Sequence, residues 1–134
     1  MKVVIACDSY KGCMTSREVA ERIELGIRQV DDAVITTSYV IGDGGEGTVE
    51  AFHEPCHGRK QPVSTTDAYG KKIISEYTII ENGETAVIEV ANIIGLNMHE
   101  RDKRAPFFGS SYGVGTVMLD AAAQGCRKII IGLG

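Results

Sequence analysis

The sequence predicts an α/β fold: a parallel sheet flanked by helices, with a second, mixed or antiparallel α/β unit inserted into it. Three observations carry this expectation. Near the N-terminus, β-rich apolar segments alternate with glycine-bearing loops and a helix of amphipathic period, the pattern of βα units. From about residue 60 to 90 the strand-like segments follow one another across turns, with no helix between them. Beyond residue 110 a second amphipathic stripe and a last apolar run restore the first pattern. The boundaries that follow are a Rossmann-like α/β part over 1–58 and the start of a second, mixed-sheet domain over 59–134.

Each element has a local reason. Lys2 to Cys7 is a short apolar run and reads as a buried first strand. Thr15-Ser16-Arg17-Glu18 has the form of a capping box, and Ala20, Ile23, Ile27 and Val30 then recur at helical spacing to Asp31-Asp32. Ala33 to Ile41 is rich in β-branched residues and predicts a second strand. It delivers Gly42-Asp43-Gly44-Gly45-Glu46-Gly47, followed by a short helix from Thr48 to Phe52, and His53 to Gly58 is the crossing into the second unit. Val63–Thr66, Lys72–Ile80 and Thr85–Val90 are strands, with Asn82-Gly83 signalling a type I′ hairpin. Val114, Val117, Met118, Ala121 and Ala122 mark a helix from Tyr112 to Gln124, capped by Ser110 and Ser111 and closed by Gly125 at a positive φ. Lys128 to Ile131 is a last buried strand that runs into Gly132-Leu133-Gly134.

Bulk properties exclude several function classes. The 134 residues carry a formal net charge of −4 with no basic run, which disfavours a nucleic-acid partner. The N-terminal apolar run is too short for a signal peptide or a membrane span and meets Asp8 at once, so a cytoplasmic protein is expected. The 4 cysteines form no C-x-x-C pair and read as free thiols. Neither a Walker A loop nor a G-x-G-x-x-G fingerprint after the first strand is present, which argues against P-loop NTPases and nicotinamide-dependent dehydrogenases.

Ligands of parallel sheets bind at the carboxyl ends of the strands, and two loops meet that condition. In Gly42–Thr48 the glycines allow close approach of a ligand to backbone N–H groups ahead of a helix. Asp43 and Glu46 make the loop too acidic for a bare anion cradle; they suit a bound Mg²⁺, or Asp43 takes a proton from a substrate hydroxyl. In Asp8-Ser9-Tyr10-Lys11-Gly12, Lys11 neutralises a phosphate or carboxylate, Ser9 donates a hydrogen bond, and Asp8 holds a metal or acts as base. A plain polar turn is the competing account of each loop taken alone. His53, Cys56 and His57 lack the fourth ligand of a structural zinc site and read as a polar crossover. In the charged run Glu100–Arg104, Arg101 and Arg104 are secondary candidates for a carboxylate.

Taken in order, these segments resemble the bacterial glycerate kinase family. Its opening I-A-P-D-S-F-K-G-S-L-S appears as Ile5-Ala6-Cys7-Asp8-Ser9-Tyr10-Lys11-Gly12-Cys13-Met14-Thr15, with Cys7 in place of proline and Cys13 in place of a small polar residue. Its A-D-G-G-E-G-T appears as Gly42 to Thr48, and its K-T-A-V-I-E-M-A strand as Glu84 to Ala91. Its T-x-Y-G-V-G helix start matches Ser110 to Gly115, and the run into its G-G-S-A-T-N-D-G-G matches Gly125 to Gly134. The resemblance implies transfer of the ATP γ-phosphoryl group to a hydroxyl of glycerate with Mg²⁺. On it, Asp43 is metal ligand or base and Lys11 the cation on phosphate or carboxylate. Backbone N–H groups of Gly44, Gly45 and Gly47 line the anion, and Asp8, Ser9, Glu46 and Thr48 complete the loops. It also implies that both units are incomplete in these 134 residues, which alone are expected to be inactive. A kinase for a related small hydroxy acid, a non-catalytic ligand-binding regulator of this fold, and a flavin- or nucleotide-binding domain are the competing readings.

Overall fold

A computed structural model describes residues 1–99 and 105–134. Strand β1 (Lys2–Cys7), helix α1 (Ser16–Val30) and strand β2 (Ile35–Val40) form the first βαβ unit, and β1 pairs with β2 in parallel, Ile5 opposite Ser38. Helix α2 (Thr48–His53) leads to the second sheet, β3 (Arg59–Thr66), β4 (Lys72–Ile80), β5 (Thr85–Glu89) and β6 (Lys128–Gly132), in that spatial order. β3–β4 and β4–β5 are antiparallel; β5–β6 is parallel, as its crossover through helices α3 (Ala91–Ile94) and α4 (Tyr112–Ala123) requires. The predicted α/β class with a parallel pair and a second mixed sheet is therefore what forms.

The second sheet holds the core. Tyr77, Ile79, Ala86 and Ile88 pack with Val114, Val117 and Ala121 of α4 on one face. On the other, α2 lies over β4 and β5. Every residue of β5 is consequently buried, which is why Thr85–Glu89 shows no polar–apolar alternation. β4 still alternates where α2 does not reach: Ile74 is exposed and Ser75 buried, whereas Tyr77 to Ile80 are all buried. The Tyr77 hydroxyl escapes desolvation without a partner by donating to Asp120 at 2.8 Å; burial and that carboxylate push its pKa well above the usual phenol range.

Three local expectations are corrected. The Asn82-Gly83 connection is no two-residue type I′ turn. Ile80 pairs with Thr85, leaving Glu81–Glu84 as the loop, with Glu81, Asn82 and Gly83 all at positive φ. Its extra residues are held by the Glu84 carbonyl, which accepts from the Arg127 and Lys128 N–H groups at the start of β6. At α4, Ser111 stands at the N-cap with no side-chain cap bond; instead Ser110 Oγ accepts from the Tyr112 N–H at 3.1 Å. On α1 only the first part of the stripe is covered: Val19 and Ala20 are buried, while Ile23 and Val30 are exposed. A two-stranded sheet is too narrow to cover a helix of 15 residues. Gly125 does take its expected positive φ, at 95°.

Candidate functional site

The first loop is fastened at both ends. The Ser16 hydroxyl donates to the Cys7 carbonyl at 2.5 Å, tying the end of β1 to the start of α1. The capping box forms as expected: Thr15 Oγ1 accepts from the Glu18 N–H at 3.2 Å, and Glu18 Oε2 accepts from the Thr15 N–H at 2.7 Å. That backbone bond, with the Thr15 hydroxyl, holds the Glu18 carboxyl below its ordinary pKa. Between these anchors Tyr10 and Met14 bridge, and Lys11 is exposed at the tip beside Gly12 at φ 72°. Asp8 turns back on its own loop, its Oδ1 accepting from the Ser9 N–H at 2.7 Å.

The glycine loop is folded on itself in the same manner. Asp43 Oδ1 accepts from the Gly45 N–H at 2.8 Å, and the buried Thr48 hydroxyl donates to the Gly45 carbonyl at 2.8 Å. Gly47 is the N-cap of α2 at φ 87° and has no side chain to cap with. The cap comes from another strand. Glu89, at the carboxyl end of β5 and 2% exposed, accepts from the Val49 N–H at 3.0 Å, and the Gly47 and Thr48 N–H groups lie close enough to favour its charged form, although the Thr48 N–H itself donates to the Gly45 carbonyl at 3.3 Å. Burial pushes the Glu89 carboxyl above its ordinary pKa, these backbone donors oppose that, and Glu46 adds to it. Glu46 in turn accepts from the Asn97 amide.

The end of β6 closes on the same loop. A Cβ on Gly132 would stand 2.5 Å from the Gly44 carbonyl oxygen, and one on Gly45 would stand 3.3 Å from Gly134 Cα. No side chain fits at Gly132 without moving the Gly44 backbone, whereas one at Gly45 would need its neighbours to give by a few tenths of an ångström. The carboxyl ends of β5 and β6 thus meet the loop that leaves the carboxyl end of β2.

Beside this junction lies a cleft of about 510 Å³, walled by Ser9, Tyr10 and the residues from Gly12 to Glu18 on one side and by Glu46, Gly47, Val49 and Glu89 on the other. Of the residues predicted from sequence, Ser9, Glu46 and Gly47 line it. Lys11 and Asp43 are exposed near it rather than in its wall, Gly44 and Gly45 face the end of β6, and Thr48 is buried beneath the loop. One of the three predicted anion donors is engaged within the protein, Gly45 N–H by Asp43, and Gly47 N–H faces the Glu89 carboxylate. Glu18, Glu46, Glu50, Glu76 and Glu89 give the cleft an acidic wall, relieved by Arg17, which pairs with Glu50 and Glu54. Such a wall repels a bare phosphate and suits one that arrives with a cation.

Glu89 and Asn92 are among the lining residues that sequence reasoning gave no role, with Glu50 and Glu76. A lone acid ending the apolar run Thr85–Ile88 is the signal that marks Glu89. Elsewhere, His53 is engaged with the Thr78 hydroxyl at 3.1 Å, while Cys56 and His57 are exposed. Among the described residues no group of His, Cys, Asp and Glu gathers in a number that would hold a metal alone. Arg101 and Arg104 lie outside the described residues. No described helix is long and apolar enough to cross a membrane.

Comparison with known proteins supplies the context. The model of the glycerate kinase family matches residues 3–134. The glycerate 2-kinase of Escherichia coli K12 is 40% identical over 134 residues, all of this chain and 35% of that protein. The glycerate kinase of Halalkalibacterium halodurans is 36% identical over 132 residues, 98% of this chain and 35% of that protein. A crystal structure described as a candidate glycerate kinase 2 from Salmonella typhimurium LT2 superposes with a TM-score of 0.75 at 37% identity, covering 100% of this chain and 36% of that one. The chain therefore spans about a third of the length of the proteins it matches.

Proposed function

The chain belongs to the glycerate kinase family, and on that premise we propose that it supplies one wall of a site that phosphorylates glycerate from ATP. The observation that carries the proposal is the convergence at Gly42–Thr48: the end of β6 seats on this loop, Glu89 of β5 binds its far end, and the acidic cleft opens beside it. In the proposed reaction a glycerate hydroxyl oxygen bonds to the γ-phosphorus, the bond from that phosphorus to the ADP oxygen breaks, and the hydroxyl proton passes to a carboxylate. Phosphoryl transfer of this kind is chiefly positioning and neutralisation of charge.

Asp43 is the proposed base or metal ligand, exposed on the loop with one carboxylate oxygen committed to Gly45. Lys11 is the proposed cation for a phosphate or for the glycerate carboxylate, with Asp8 and Ser9 supporting it from the same loop. Gly44 N–H is the proposed anion donor, because Gly45 already donates to Asp43 and Gly47 N–H faces the Glu89 carboxylate. Mg²⁺ fits this loop, since it binds through one or two carboxylates plus substrate phosphates rather than in an all-protein cage; Asp43 and Glu46 would hold it, and it would neutralise phosphate charge. The division into 1–58 and 59–134, a cytoplasmic location, and inactivity of these 134 residues by themselves belong to the same proposal.

The test is exchange of this chain for the matching 134 residues of the Escherichia coli glycerate 2-kinase, with a coupled assay of ADP release. Turnover with glycerate is expected from the chimera and none from the 134 residues alone. Turnover with another small hydroxy acid but not glycerate would overturn the substrate assignment, and turnover by the 134 residues alone would overturn the proposed incompleteness.

A further inference from the structure

We propose that Glu89 is a positioning residue, a carboxylate lent by β5 that caps α2 and fixes the glycine loop against the joined ends of β5 and β6. The role serves the site proposed above and rests on that reading for its purpose, but not for its geometry. Three facts lead to it. Gly47 leaves α2 without a side-chain cap, and α2, at 6 residues, is too short to hold its own first turn. Glu89 is 2% exposed, in a strand otherwise made of Thr85, Ala86, Val87 and Ile88; a carboxylate in that setting costs stability unless hydrogen-bonded. Its carboxylate accepts from the Val49 N–H at 3.0 Å and faces the neighbouring Gly47 and Thr48 N–H groups, among the donors that a helix start exposes.

The consequence is a chain of rigid links. β5 pairs with β6 through Glu89 opposite Gly132, and Gly132 abuts the Gly44 carbonyl at one end of the loop. Glu89 binds the other end at Val49, the residue that follows the loop. The loop that carries Asp43 is thus held at both ends by adjacent strands of the second sheet, although in sequence it leaves the first. A glutamate is long enough to reach across from β5, and its charge-assisted bonds are stronger than those of a neutral cap.

Amide hydrogen exchange on the ¹⁵N-labelled 134-residue chain tests this without any turnover, so its failure and that of the kinase reading are separable. In Glu89→Ala, exchange at Val49 is expected to rise by more than about tenfold, the loss expected for a bond to a charged group. Amides of Ala86 and Val87 should keep their protection. Glu89→Gln, which retains an acceptor oxygen, should recover part of the lost protection. The wild-type Val49 amide proton shift should titrate with the carboxyl, at a midpoint above the ordinary Glu value of 4.5. Glu46, Glu50 and Glu76 share the cleft with it, and Arg17 is its nearby cation; the titration must therefore vanish in Glu89→Gln to be assigned. Unchanged exchange at Val49 in a folded Glu89→Ala, or an equal rise at Ala86 and Val87, would overturn the proposal. If Glu89→Ala does not fold, a Val49 shift indifferent to pH in the wild type, or still titrating in Glu89→Gln, would overturn it.

Discussion

The two sheets of this molecule are built from similar residues and end in different states. In the first, Ile5 and Val34 are buried under Val19 and Ala20 of α1, but the opposite face of β1–β2 presents Val4 at 66%, Ile35 at 59% and Tyr39 at 58% exposure. In the second, Val87 and Ile88 point to opposite faces of β5 and both are 0% exposed, because α4 covers one face and α2 the other. The parallel sheet, the kind that is normally buried on both faces, is half open within these 134 residues, about a third of the length of the proteins the chain matches. α2 is the element that makes the difference: it follows β2 in sequence yet spends its apolar side on β4 and β5. A fold can thus assign a helix to the sheet that needs covering rather than to the strand that precedes it.

The sharpest way to break the contrast is a matched pair of truncations. Ile88→Ala should cost about 2–5 kcal/mol, as for a large-to-small change in a closed core, whereas Val4→Ala should stay within about 0.5 kcal/mol. Urea unfolding of both variants checks this, and equal losses would mean that the first sheet is as well packed as the second. Next in size is the join between the sheets. Gly132→Ala would place a Cβ 2.5 Å from the Gly44 carbonyl and 3.0 Å from Thr48 Cγ2. Overpacking of this kind costs about 1–3 kcal/mol, and thermal unfolding together with amide shifts at Gly44 and Thr48 would locate it.

The smallest expected effect lies on the open side. Thr15→Ala removes the cap of α1 and should cost about 1 kcal/mol. Its partner Glu18 has a carboxyl pKa lowered in the folded state. That contribution is present above the unfolded pKa and is lost as pH falls through the folded one. The penalty of Thr15→Ala measured near neutral pH should therefore shrink in acid. A penalty that does not change with pH would remove Glu18 from the capping box.

How much of this was legible in the sequence follows the range of the interactions. β1, the capping box at Thr15, β4, the helix at Tyr112 and the positive φ of Gly125 are set by neighbours a few residues apart, and their patterns announced them. The Glu81–Glu84 loop was misread because Asn-Gly signals a local turn, while the start of β6, more than forty residues on, supplies the hydrogen bonds to Glu84. The α1 stripe through Ile23 and Val30 was visible as a pattern, but a pattern cannot say how wide the covering sheet is. Glu89 was passed over for the same reason. Its partner is the start of α2, 40 residues earlier, and only the pairing of β5 beneath that helix brings carboxylate and N–H groups together. The two loops were legible as glycine-bearing loops at strand ends; that the Gly45 N–H would find a partner inside the protein was not.

The central claim is that the loop held between the sheets does chemistry. Its most direct test is Asp43→Asn in the chimera with the Escherichia coli glycerate 2-kinase, assayed for ADP release with glycerate. This substitution preserves the shape of the side chain and an acceptor for the Gly45 N–H, and removes the negative charge. Turnover is expected to fall by at least about a hundredfold while folding is kept, the scale of a lost acid–base group. Undiminished turnover in a folded Asp43→Asn chimera would contradict the account.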